Sequence, residues 1–297
     1  MAESGANGFS LFAHLFRAPS RSLGNRAKLK RMPAALFQPF PMASGRRAQV
    51  WRHQPQFRRP RHFHEEPELN LVVKGHGVVG VGDRVQRVSA GDLVLFHAGQ
   101  DHVLIDSSDD FDLFVLALRP ELAERAGALL TLAASGSCRL SPAELSAVAA
   151  QLSALGSVHD ATATERSLAE LFGTAGARLS APHVLSRRAI ECVRAQPGVS
   201  GGALAQQLRT APSGISRRFH QDLGVRFVEY RSRVRLMGFV RLVDQGQSFG
   251  RAALEADFGS YAQCHRVFQR LLGCAPQQYF AGARAAVDAA KFSADSP

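Results

Sequence analysis

The last third of this 297-residue chain repeats itself, and the repeat narrows what that region can fold into. GISRRFHQDLG and YAQCHRVFQRLLG each carry an Arg two residues before a Phe, and each ends in Leu-Gly. Phe219 and Phe268 lie 49 residues apart, and so do Leu223-Gly224 and Leu272-Gly273. Ile215, Phe219 and Leu223 form one apolar helical stripe, and Cys264, Phe268 and Leu271 or Leu272 form the other. A shorter helical stretch and a turn precede each, ALAQQL with RTAPS in the first case and GRAALEADFGS in the second. Between them, RFVEYRSRVRLMGFVRLV reads as a long basic helix, with Val228, Arg235, Leu236, Phe239, Val240 and Val243 on its packed face. The pattern predicts an all-α region over residues 185–285, made of two helix-turn-helix units held by one connector.

Charge says what such a region meets. Residues 181–297 hold sixteen Lys/Arg against eight acids, residues 1–60 eleven against one, and residues 61–180 nine against sixteen, within a net charge of +11. A basic C-terminal third points to a polyanion, because Lys and Arg contacts to phosphate release condensed counterions. Two recognition helices on one connector can enter successive major grooves, about 34 Å apart, on one side of DNA. Ser213, Ser216, Arg217 and His220 lie off the buried stripe of the first helix, and Tyr261, Ala262, His265 and Arg266 off that of the second. An exposed Arg there can contact guanine at two atoms or anchor a phosphate.

APSGISRRFHQDLGVRFVEYRSRVRL and FGSYAQCHRVFQRLLGCAPQQYF, with the closing G-x-x-P-x-x-Y, resemble the DNA-binding module of AraC/XylS-type transcriptional regulators over about 100 residues. The resemblance implies that Ser213, Ser216 and Arg217, and Tyr261, Ala262, His265 and Arg266, face DNA. Three positions depart from the family pattern. Ala211 replaces a capping Ser, which should weaken that helix start by about 1 kcal/mol unless Thr210 substitutes. Asp257 stands where the turn usually has Gly, and Asp tolerates the left-handed conformation. Cys264 stands where a larger core residue is common, and is expected to be inert.

Ahead of this module the texture is β. LNLVVKGHGVVGVGDRVQRVSAGDLVLF shows short Val/Leu runs broken at hairpin spacing, with a turn at Val81-Gly82-Asp83 and a new run after Gly91-Asp92. Residues 45–120 are expected to form a small sandwich or barrel. His62-Phe63-His64 is followed by Glu68 and Gly75, and further on come Gly91, Gly99 and His102. Alternation puts His62 and His64 on one face of a strand, and Glu68 and His102 can bring two more donors to the same interior point. Such a set suits a first-row divalent metal (Zn, Fe, Mn or Ni), or a small molecule held by the same side chains without one. The spacing resembles the two cupin motifs, HxH(x)3E(x)6G and G(x)5P(x)G(x)2H, with His97 in place of the Pro. The resemblance implies a cupin-like effector barrel, which precedes the DNA-binding module in many AraC-type regulators. Trp51, Phe96 and His97 are further candidates to line its pocket.

Residues 121–184 read as a helical linker. Pro120-Glu121 reads as a helix start, SPAELSAVAAQLSAL carries Ser141, Pro142 and Glu144 as a capping box, and RSLAELFGTAG follows. Its stripe of Leu145, Val148, Leu152 and Leu155 suits either the chain's own barrel or a homodimer seam. Residues 1–44 read as a basic, disordered tail and residues 286–297 as a C-terminal one. Cys138, Cys192, Cys264 and Cys274 form no CxxC pair, so a reducing compartment is expected. No run approaches the ~18 apolar residues of a membrane span.

The expected fold is therefore multidomain α and β: an N-terminal cupin-like barrel, a helical linker and a C-terminal all-α module with two helix-turn-helix motifs. The expected function is a cytoplasmic, nucleoid-associated transcription regulator. Its partners would be double-stranded promoter DNA, a small-molecule effector, RNA polymerase and a second copy of the chain. The alternative is a metal-dependent cupin enzyme, an oxygenase or isomerase, with a helical appendage. No Ser/His/Asp or Cys/His arrangement and no Gly-rich phosphate loop stands out, which argues against catalysis.

Overall fold

The structure, a computed structural model, describes residues 36–40, 42–55, 59–120, 122, 137–158, 160–175 and 183–281. The strands are β1 (Leu36–Phe37), β2 (Ala48–His53), β3 (His62–Phe63), β4 (Glu68–Lys74), β5 (His76–Val81), β6 (Arg84–Ser89), β7 (Asp92–Phe96), β8 (His102–Ser107), β9 (Asp112–Leu118) and β10 (Ser137–Arg139). They form two five-stranded sheets, ordered β1-β3-β8-β5-β6 and β10-β7-β4-β9-β2. Period-two alternation sorts the side chains of the second sheet. Val72, Val94, Phe96 and Leu113 join Val81, Val88 and Phe111 in one cluster. Leu69, Leu71, Leu93, Leu95 and Leu116 belong to another.

That second cluster is completed by α1 (Pro142–Gly156) and α2 (Ala161–Ala175), through Val148, Leu152, Leu155, Leu168, Leu171 and Phe172. Burying each such Leu or Phe is worth about 1.5–3 kcal/mol. Ser141 caps α1 with the full reciprocal box to Glu144, as its sequence predicts. The apolar stripe of α1 is thus spent on the chain's own sheet: Val148 and Leu152 are fully buried there, so a homodimer seam at these residues is excluded.

Two boundaries differ from expectation. Leu36–Phe37 lies inside the expected tail but pairs in parallel with His62–Phe63, because Phe37 finds a buried apolar site beside Phe63. Ser137–Arg139 lies inside the expected helical linker but extends the second sheet along β7. The remainder of the basic tail (1–35), the expected helix start at Glu121, residues 123–136 and 176–182 of the expected linker and the 286–297 tail lie outside the described residues.

The C-terminal module contains α3 (Val184–Ala195), α4 (Gly201–Gln207), α5 (Pro212–Leu223), α6 (Phe227–Asp244), α7 (Phe249–Glu255) and α8 (Tyr261–Leu272), followed by a helical turn over 276–281. It has two cores. Ile190, Val193, Leu204, Ile215, Phe219 and Leu223 fill the first, and Phe239, Ala252, Phe258, Cys264, Phe268 and Leu272 the second. The connector α6, about 27 Å long, contributes to both. Its packed face departs from expectation at one end: Val228 is 56% exposed, because Phe227 and Tyr230 turn inward instead.

Candidate functional site

The barrel brings its predicted donors together. His62 pairs directly with His102 across β3 and β8, and both are buried with His64 and Glu68. Ring centroids are 4.4 Å apart for His62–His102, 5.0 Å for His64–His102 and 5.8 Å for His62–His64. Glu68 Oε2 lies 3.0 Å from His64 Nε2 and 3.1 Å from His102 Nε2. Each ring directs Nδ1 at a backbone carbonyl: His62 at Pro60 (2.9 Å), His64 at Glu66 (2.7 Å) and His102 at Gln100 (3.2 Å). A carbonyl only accepts, so Nδ1 carries the hydrogen in all three rings, and in a neutral ring Nε2 presents its lone pair. This is how metal-ligating histidines are oriented.

The consequence is electrostatic. A neutral His64 would set a lone pair 3.0 Å from a carboxylate oxygen, and that contact requires a proton or a cation between them. His102 Nε2 is buried without a well-formed hydrogen bond. Burial, His102 and His64 together hold His62 well below the usual imidazole range. Burial resists ionisation of Glu68, but His102 and His64 outweigh it and keep the carboxylate charged. One ligand atom from each of the three histidines lies within 4.8 Å of the others. The donor chemistry of the three histidines fits a first-row divalent ion; Glu68 adjoins His64 and His102 but does not join the three-histidine group. Such an ion would supply a fixed positive charge that binds an oxygen donor.

A cavity of about 110 Å³ adjoins the set. Trp51 and Phe96 line it as predicted, with Phe40, Phe111 and Leu113; Arg59 and His53 supply its polar edge. Burial pushes both the Arg59 and His53 groups below their usual values. His97 is absent from the lining; its backbone instead holds the turn, donating to Gln100 Oε1 (2.9 Å) and accepting from Gln100 N–H (3.0 Å).

The helical module presents the second site. Ser213, Ser216, Arg217, Ala262 and Arg266 are exposed on α5 and α8. Tyr261 and His265 are half-buried: Tyr261 stacks on Phe249 at 6.0 Å and packs against the second core, so it sits deeper than an open-face position. A groove of about 740 Å³ is lined by Ser216, Arg217 and His220 of α5, Arg226 and the start of α6, and Arg270 of α8. Arg226 and Arg270 were not singled out by sequence; their signal was only their place in a basic helical region. The sequence departures resolve locally. Ala211 makes no side-chain cap. Asp257 is left-handed (φ 61°), and its carboxylate accepts from Gly198 N–H at 2.9 Å, tying the second turn to the first unit. Burial pushes the Cys264 thiol up to about 12.

Barrel and module are in contact. Arg233 of α6 meets Asp101 at 2.5 Å and stacks over Phe63 at 5.1 Å, while Arg61 bonds the other oxygen of Asp101. All three ionic side chains are buried. Burial resists ionisation of Asp101, but Arg233 and Arg61 together hold it below the usual carboxylate range.

The family model described as AraC-like ligand binding domain matches residues 50–191, and the one described as helix-turn-helix domain matches residues 204–282. The chain belongs to the AraC family of transcription regulators. It is a DNA-binding regulator with a ligand-binding N-terminal domain. Apo ToxT from Vibrio cholerae is 15% identical, covering 79% of this chain and 97% of that one, with a TM-score of 0.47. Unsaturated fatty acid-bound ToxT from the same organism is 17% identical, with coverage of 78% and 93% and the same score. The AraC-like transcriptional activator CuxR is 14% identical, with coverage of 65% and 72% and a TM-score of 0.32. No curated protein sequence matches the chain significantly. No helix among the described residues is long and apolar enough to cross a membrane.

Proposed function

We propose that α5 and α8 read two successive major grooves of an operator through Ser213, Ser216, Arg217, Ala262, His265 and Arg266, with Tyr261 setting the start of α8. The observation that carries this is the basic groove shared by both units, lined by Arg217, Arg226 and Arg270. A mobility-shift titration with the upstream region of its own gene tests it. Binding should weaken steeply with salt, because each neutralised phosphate releases a counterion. A complete lack of binding to any promoter fragment at low salt would refute the reading.

The barrel is the sensor in this reading, and residues 121–184 link it to the module. A small, ring-sized molecule suits the cavity: an apolar cavity of about 150 Å³ holds benzene. His62 and His102 each adjoin a member of the Arg61–Asp101–Arg233 network, so an occupant that shifts β3 against β8 acts on the connector helix. An effector works only through differential affinity for the gripped and released arrangements. Trp51, the one tryptophan of the chain, lines the cavity, so its emission should change on titration with effector or with Ni²⁺. The protein acts in the cytoplasm on nucleoid DNA without catalysing a reaction. It contacts RNA polymerase at the promoter and pairs with a second copy through a surface other than the α1 stripe.

A further inference from the structure

A second concavity, of about 370 Å³, opens between the barrel and the connector helix, away from the histidine set. Glu65, Ala98 and Pro120 border it on the barrel side, and α3 and α6 form the other wall. Three guanidinium groups line it: Arg194, Arg235 and Arg241. Its carboxylates are otherwise engaged. Glu65 lies 3.6 Å from Arg241, and Glu255 pairs with Arg251 at 2.7 Å. Among the described residues neither Arg194 nor Arg235 forms an ion pair with a carboxylate, so the cleft holds surplus positive charge.

Two buried groups there are incompletely satisfied. Arg235, 8% exposed, donates Nη1 to the Asp257 carbonyl at 3.1 Å and lies 5.0 Å over Phe258, but its Nε has no partner. Tyr230 is fully buried and its hydroxyl makes no well-formed hydrogen bond; Arg194 is the cation beside it. A buried polar group without a partner costs about 1–3 kcal/mol, which favours an occupant that bonds it. The remaining wall is apolar, with Val234, Met237 and Leu242.

We propose that this cleft is a second ligand site, distinct from the barrel cavity, which takes a small organic anion with an apolar body. The anionic group meets Arg194, Arg235 and Tyr230, and the body lies along Val234 and Met237. Because both domains border the cleft, its occupant adds to the grip of the barrel on the module.

The test uses the full chain with 8-anilinonaphthalene-1-sulfonate as probe and N-phenyl-1-naphthylamine as its uncharged analogue. Fluorescence should show saturable one-to-one binding of the sulfonate and at least tenfold weaker binding of the analogue. Arg194→Ala and Arg235→Met should each weaken sulfonate binding about tenfold, and Tyr230→Phe about threefold. Arg188→Ala, an exposed position of α3 outside the cleft, controls for net charge and should bind like the parent. Equal binding of the two probes would make the cleft merely apolar and overturn the proposal. So would cleft variants that bind like the parent, or an Arg188→Ala variant that weakens as much as Arg194→Ala.

Discussion

The two helix-turn-helix units share a spacing and differ in their surroundings. Pro212–Leu223 and Tyr261–Leu272 have equal lengths, end at left-handed Gly224 and Gly273, and follow turns with left-handed residues, Arg209 in the first and Asp257 and Gly259 in the second. The barrel, however, grips the open end of the first. Arg84 donates to the His220 carbonyl at 2.6 Å and to that of Gln221, Asp83 lies 2.9 Å from His220 Nε2, and Gln100 donates to the Leu223 carbonyl at 2.6 Å. The second unit meets the barrel through β1 beside its buried core, which leaves Ala262 and Arg266 exposed. Repetition therefore duplicates the reading head but not its control: the barrel bears on α5, while α8 keeps its outer face open.

The largest expected effect comes from breaking the grip. Asp101→Ala leaves Arg61 and Arg233 buried without their shared carboxylate, and breaking such a pair costs about 3–5 kcal/mol. Urea unfolding should show that loss, and DNA binding should cease to respond to an effector. Retained stability with retained response would show that the network couples nothing. Gly82→Ala strikes the hairpin itself. Gly82 has φ 57°, and an added Cβ would lie 2.0 Å from the Gly224 carbonyl oxygen. The hairpin must move, at a cost of about 1–3 kcal/mol, and footprints should change in the half-site read by α5 rather than in that read by α8. Arg217→Ala and Arg266→Ala should each cost about 1–3 kcal/mol in discrimination between operator and mismatched DNA, at separate half-sites. Two unchanged footprints would remove both arginines from base contact.

The repeat was legible because local signals agreed with tertiary structure: the stripe around Phe219 and Phe268 is the stripe each core buries. The histidine set was legible for a similar reason, since His-x-His fixes a strand face and register brings His102 opposite His62. What sequence could not give were contacts with no periodicity. Nothing local distinguishes Phe37, which leaves a basic stretch to pack with Phe63, or Arg84, whose partners lie 136 and 137 residues away. Val228 failed because the stripe of α6 is shared between two cores and rotates from one to the other, so one helical period does not describe it.

The smallest expected effect sharpens the comparison at the helix starts. Ser200, Ser248 and Ser260 each accept a hydrogen bond from the backbone N–H three residues on, whereas Ala211 has the extended backbone of a cap (φ −76°, ψ 144°) without the side chain. Ala211→Ser therefore needs no backbone change and should stabilise the protein by about 1 kcal/mol, while Ser260→Ala should cost a similar amount. In a module of roughly 100 residues this is a shift of about 4–8 °C in Tm, read by calorimetry. Opposite shifts of equal size would mean that each helix start rests on its own cap. A silent Ala211→Ser beside a costly Ser260→Ala would mean that α5 is held by the barrel at its far end and not by its own first turn, which is the asymmetry between the two units in its simplest measurable form.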